Sequence, residues 1–204
     1  MKKISLLKSF LPVLILMSLV FCISAGGTET KQSKTFTWTM ALQNVKTDSL
    51  EPFSAPVKSS AGDKFRLIIN PGTACYCYII SESADGDDVA VLQAGPLKGG
   101  ETWYSPVMEF TPPGGKESLF VVASREEQST LAQRVSAFNS NSGTVQRRAL
   151  LNEVFRLRSE ISQYRETPEK PVLMGGAARG TPGKNEGVEF TGLETYVKTI
   201  SIEH

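Results

Sequence analysis

The sequence predicts a mainly β protein: a β-sandwich-like domain with a two-helix insertion before the closing strands. Three observations predict it. Short apolar runs bounded by Asn, Asp, Gly and Pro recur through residues 36–124. The apolar spacing then switches to the three-and-four pattern of helices as far as about residue 165. Strand-like alternation returns from Val188 to the end. The chain has 204 residues, 40% hydrophobic and 21% charged, which is ordinary globular composition and allows one domain with an appendage.

Residues 1–26 read as a secretory signal peptide. Lys2, Lys3 and Lys8 form a basic start, and Phe10 to Ile23 is an apolar stretch too short to span a bilayer comfortably. Ser24-Ala25-Gly26 offers small residues for cleavage. Leu19-Val20-Phe21-Cys22 also resembles a bacterial lipobox, in which Cys22 is lipidated and becomes the first residue; Phe21 stands where a small residue is usual. Two outcomes follow: a lipoprotein held to the periplasmic or outer-membrane surface by its acyl chains, or cleavage near Gly26 and a secreted product. Residues 27–35, GTETKQSKT, form a polar tether, and residues 36–204 form the domain. Loss of residues 1–26 removes three lysines and no acid, leaving 19 basic and 21 acidic side chains and a net charge of −2. A slightly acidic exported domain argues against nucleic acid as partner.

The first strand is Phe36 to Asn44, FTWTMALQN, with Phe36, Trp38 and Met40 on one face. An irregular loop with Pro52 and Pro56 follows. Ala61 to Ser83 reads as two strands folded back on each other at Asn70-Pro71-Gly72, where Pro presets φ and Gly accepts a positive φ. In the second of them Cys75, Cys77 and Ile79 share one face and Tyr76, Tyr78 and Ile80 the other. Both faces are apolar or aromatic, as in a strand covered on both sides. Cys75 and Cys77 sit at a spacing that strains a disulfide in an extended strand, so buried free thiols are expected; a mixed disulfide with a partner is the alternative.

Glu82 to Asp88 holds four acids in seven residues, with Asp85-Gly86 a favoured hairpin pair. The spacing does not fit an EF-hand, so a solvated tip is expected rather than a metal site. Val89 to Ala94 is the next strand. Pro106 makes Thr102 to Phe110 an edge strand or two short pieces, and Trp103 and Tyr104 there are the possible ligand contacts, set against core packing. After Thr111-Pro112-Pro113-Gly114-Gly115 comes a buried strand, Ser118 to Ser124.

The helical excursion runs over residues 125–166. Ser124-Arg125-Glu126-Glu127 matches a capping box. Leu131, Val135 and Phe138 share one face of the first helix. Leu150, Val154, Leu157, Ile161 and Tyr164 line the second, widened by Leu151 and Phe155, and Pro168 and Pro171 stop it. The glycine-rich loop Gly175 to Gly187 fails the phosphate-binding pattern, because Asn185 stands in the Ser/Thr position and no strand and helix flank it. Val188 to Glu203 forms one or two closing strands.

The only histidine is His204, on a terminus expected to fray, which argues against Ser-His-Asp and Cys-His hydrolysis. No metal site and no cofactor are expected. A two-carboxylate hydrolase stays as a rival, although the acids cluster in turns and on helix faces. The expected activity is non-catalytic.

Ala61-Gly62-Asp63-Lys64-Phe65-Arg66-Leu67, the strand Cys75 to Ile80, and Pro113-Gly114-Gly115-Lys116-Glu117 through Ala123-Ser124 are similar to a bacterial exported family, domain of unknown function 4384. The likeness covers about residues 55–140. It implies a small β-rich envelope module without known catalytic residues; the helix at 144–165 departs from the family pattern. Together these readings point to an exported, cell-envelope-associated binding or assembly module whose partner is another envelope protein. The alternative is a secreted small-ligand or glycan-binding β-sandwich using Trp103, Tyr104 and the glycine-rich loops.

Overall fold

A computed structural model describes residues 36–51, 56–60, 62–109, 114–162, 169–173, 186–192 and 195–204. The signal peptide, Cys22, the tether, Tyr164, the Pro112-Pro113 turn and residues 175–185 of the glycine-rich loop lie outside the described residues.

The β strands make two sheets. The first contains β1 (Phe36–Asn44), β2 (Ser49–Glu51), β4 (Lys64–Pro71), β7 (Trp103–Tyr104), β8 (Met108–Glu109), β10 (Glu169–Leu173) and β11 (Glu186–Gly192). Its order is β10-β11-β1-β4-β7, with β2 beside β1 and β8 beside β4. The second contains β3 (Val57–Lys58), β5 (Cys75–Glu82), β6 (Val89–Leu97), β9 (Lys116–Ser124) and β12 (Thr195–Glu203), in the order β3-β12-β9-β5-β6. Between β9 and β10 come two helices, α1 (Ser129–Ser140) and α2 (Thr144–Ser162).

Period-two alternation fills the space between the sheets. Trp38, Met40 and Leu42 of β1 and Phe65, Leu67 and Ile69 of β4 meet Cys75, Cys77 and Ile79 of β5 and Leu119, Val121 and Ala123 of β9. Trp38, Phe190 and Tyr196 form an aromatic group there, with the Trp38–Tyr196 rings edge-on at 5.3 Å. The opposite face of the second sheet carries a second core. Tyr78, Ile80, Phe120 and Val122 pack against Leu131, Val135 and Phe138 of α1 and Leu150, Leu151, Val154 and Leu157 of α2. The fold is therefore a β-sandwich-like domain with a helical layer laid on one sheet. Each of these large apolar side chains stabilises the fold by about 1.5–3 kcal/mol when fully buried.

The strand pair expected at Ala61 to Ser83 is not a pair. β4 joins β1 and β7 in one sheet, and β5 joins β9 and β6 in the other. The reason lies in their faces. β4 has one inward apolar row and an outward row containing Arg66 and Asn70, whereas β5 is apolar on both sides. A strand covered on one side and a strand covered on two belong to different sheets. The Pro71-Gly72 turn is thus an arch between layers, tied down by the Gly72 amide donating to the Thr37 carbonyl at 2.8 Å.

Three further expectations are corrected. The Ser124 hydroxyl closes no capping box; it donates to the Glu126 carbonyl at 2.6 Å, and α1 begins only at Ser129 behind Gln128. Pro171 does not merely stop a helix but lies in β10, hydrogen-bonded beside β11 at the sheet edge. His204 is not frayed. It exchanges backbone bonds of 2.8 and 3.0 Å with Gly115, and its side chain is buried.

Candidate functional site

The two aromatics singled out from the sequence are separated by the strand that carries them. Trp103 stands opposite Ile69 and Tyr104 opposite Ile68, so they point to opposite faces. Trp103 packs half-buried against the inter-sheet core. Tyr104 is 52% exposed, but the Arg66 guanidinium covers one ring face at 5.1 Å and donates to Gln43 Oε1 at 3.1 Å. Between β7 and β8 the buried Ser105 hydroxyl accepts from the Leu67 amide at 2.9 Å and donates to the Pro106 carbonyl at 2.7 Å. These two short strands form a braced sheet edge rather than an aromatic platform.

The reactive side chains are also held in structural settings. Cys75 and Cys77 are free and buried. Burial pushes the Cys75 thiol up to about 11, and burial and then Cys75 raise the Cys77 thiol well above its ordinary value. Both stay protonated, which is the wrong form for a nucleophile or a metal ligand. His204 Nε2 lies 3.2 Å from Glu117 Oε1. At the β5–β6 tip, Asp85 is fully committed. The Ser83 hydroxyl donates to it at 2.6 Å and the Asp87 amide at 2.9 Å, which holds its carboxyl below the usual range. Arg147 of α2 reaches across to the Gly86 carbonyl at 3.1 Å and also bonds the Asp87 carbonyl. Among the described residues, no group of three or more His, Cys, Asp or Glu is placed to hold a metal ion.

What the structure adds is a cleft of about 370 Å³ between β6 and α1. Tyr78 forms part of its floor, Ala94 and Gly95 one wall, and Ala132, Ser136 and Ser140 the other. Glu127 lies at one side. Its cause is size: α1 lies over β6, and wherever these walls face each other the side chains are small. Ala132, Ser136 and Ser140 recur every fourth residue, so they form one flank of α1, beside the buried Leu131-Val135-Phe138 stripe. The Tyr78 side chain is 1% exposed, and its hydroxyl has no hydrogen bond of good geometry; the Gln128 backbone amide is the donor that bears on it. Burial, and then Glu127, raise its pKa above the ordinary value.

Beside the cleft runs β6, VAVLQAGPL, nine residues with no charge. Among the described residues it pairs only with β5, so its other side carries backbone groups that no described strand meets. Sequence reading found β6 but not its position at the edge, and read only the apolar stripe of α1. The four-residue spacing of Ala132, Ser136 and Ser140 was the available signal.

Comparisons of the chain with family models, with curated proteins and with solved structures find no match.

Proposed function

We propose that the chain is an exported, cell-envelope-associated, non-catalytic binding or assembly module of a bacterium, held at a membrane surface through acylation of Cys22. Membership of the domain of unknown function 4384 family belongs to the same proposal. The observation that carries the binding part is the free, uncharged edge of β6 with the small-walled cleft of α1 beside it. Open edges of this length are normally blunted by charge or covered, because they pair with other chains. The export part rests on the basic and apolar leader and the Leu19–Cys22 pattern.

Labelling with a fatty-acid analogue, followed by mass spectrometry of the mature N-terminus, tests the anchor. Acylated Cys22 as first residue, membrane fractionation, and release on Cys22→Ala are expected; an unlipidated N-terminus at Gly27 contradicts it. Cross-linking in intact cells tests the partner, and recovery of the protein without any stoichiometric cross-linked species counts against assembly.

Ligand or glycan binding at Trp103 and Tyr104 is the weaker reading. Trp103 is turned toward the core, and Arg66 already occupies a face of Tyr104.

A further inference from the structure

We propose that the β6 edge and the α1 flank are the two halves of one self-complementary surface, and that its occupant is a second copy of this chain. In the resulting dimer the two β6 strands pair antiparallel, and the five-stranded sheet continues across the two-fold axis into that of the partner.

Four observations converge on this arrangement. First, β6 is the longest strand with a neighbour on one side only among the described residues: nine residues, against five in β10, three in β2 and two each in β3, β7 and β8. It is not defended by charge. The β5 pairing is bulged at Leu92, between Gln93 opposite Ile79 and Val91 opposite Ile80, and Pro96 has no N–H, so new pairing falls on the two short runs either side of Leu92 between Val89 and Gly95.

Second, the charges at the two ends of β6 are opposite. Asp87 and Asp88 precede it and Lys98 follows it. In an antiparallel pair centred on Gln93, Asp88 of one copy falls opposite Lys98 of the other, at both ends of the seam. A parallel pair would place acid against acid. The sequence therefore selects the antiparallel, two-fold arrangement.

Third, the dyad sets the two α1 helices side by side on one face of the continued sheet. Strands lie about 4.8 Å apart, and α1 packs on β5 as well as facing β6, so axes above the two β5–β6 seams stand about two strand spacings apart, roughly the 8–10 Å of packed helices. The flank offered is Ala132, Ser136 and Ser140, whose small side chains suit the closer end of that range.

Fourth, the Tyr78 hydroxyl on the cleft floor is buried with no well-formed hydrogen bond in one copy, the Gln128 amide being the one backbone donor that bears on it. A second copy brings further polar groups, among them its own Ser136 and Asn139, to the mouth of that cleft.

The area decides the strength. A nine-residue strand is about 30 Å long, and a strand plus a helical layer is roughly 17 Å deep, so the seam buries on the order of 1,000 Å² over both copies. That is the lower bound of specific interfaces, so the dimer is weak and concentration-dependent.

The test uses the full chain, expressed with its leader and recovered as the host processes it, with sedimentation equilibrium in density-matched buffer reporting protein mass. A monomer–dimer equilibrium in the micromolar range is expected. Ser136→Arg on the exposed flank of α1, and separately Ala94→Lys on β6, are expected to raise the dissociation constant at least tenfold while leaving the melting temperature within about 2 °C. Gln93→Cys is expected to give a reducible dimer on mild oxidation, and Thr191→Cys on the other sheet none. Mass of a monomer up to about 200 µM overturns the inference. So does a dimer whose constant both variants leave unchanged, because its contact then lies elsewhere. The fate of Cys22 and the capture of other envelope proteins do not enter these readouts, so the functional proposal and the dimer fail separately.

Discussion

Replacing Tyr78 by Phe is expected to stabilise this protein. Most truncations in a core destabilise, so the sign is informative. The Tyr78 ring belongs to the core between the second sheet and the helices, and the side chain is 1% exposed. Its hydroxyl has lost water and has gained in exchange only a poorly formed contact with the Gln128 backbone amide. An unmet buried hydroxyl costs about 1–3 kcal/mol. The Gln128 amide, which favours the ionised form, offsets part of that, so a net gain of about 1 kcal/mol is expected for Tyr78→Phe, or roughly 2–4 °C in melting temperature for a domain of this size. Tyr78→Ala also removes the ring and is expected to cost about 3–5 kcal/mol. Ionisation gives a second readout. The phenol pKa in the folded state lies above the 10.0 of a free tyrosine, from burial and then Glu127. Folding therefore keeps this contribution below pH 10, and it is lost as pH rises through the folded value, because the unfolded state ionises first. Tyr78→Phe removes that alkaline loss. Urea titration at pH 7 and at pH 10.5, at concentrations that keep the chain monomeric, measures both effects. A loss of 1 kcal/mol or more at pH 7 would refute the reasoning, since it would mean the hydroxyl is satisfied.

Three other expectations follow from single contacts. Cys75 and Cys77 should resist a thiol reagent at pH 8 until the protein is unfolded, and their raised pKa values should make stability fall between about pH 9 and 11, as unfolded thiols ionise first; rapid labelling of native protein contradicts this. Arg147→Ala should free the acidic β5–β6 tip by deleting the bonds to the Gly86 and Asp87 carbonyls, at a cost of about 1–2 kcal/mol, read as faster proteolysis near Asp87. Gly115→Ala should cost about 1–3 kcal/mol, because its Cβ would meet the Ala84 Cβ at 2.3 Å where the last residue is clamped; unchanged urea stability would show that this contact relaxes freely.

How much was legible depends on which residues carry a signal. Trp38-Met40-Leu42 and the two apolar faces of Cys75 to Ile80 alternate clearly, so β1 and β5 are readable, and so is the cover on both sides of β5. Leu131-Val135-Phe138 gives α1 its buried face in the same way. Partnership is harder. Asn70-Pro71-Gly72 announces a turn, and turn chemistry is the same for a hairpin and for an arch between sheets. The polar outward row of β4 held the answer. Ser124 looked like a cap because it ends a strand and starts an S-x-x-E pattern at once, and local sequence does not reveal that the helix waits until Ser129. The terminus at His204 looked loose because its clamp, Gly115, is 89 positions earlier. The cleft was invisible because Ala94, Gly95, Ala132 and Ser136 mark it by what they lack.

Amide hydrogen exchange across β6, at two protein concentrations, tests the working surface most directly. If the uncharged edge and α1 flank engage a second copy, protection from Val89 to Gly95 and along Ala132 to Ser140 should rise at least tenfold between about 1 and 200 µM, while β1 and β4 stay constant. Unchanged exchange in β6 over that range, or a rise confined to the other sheet, would contradict the account.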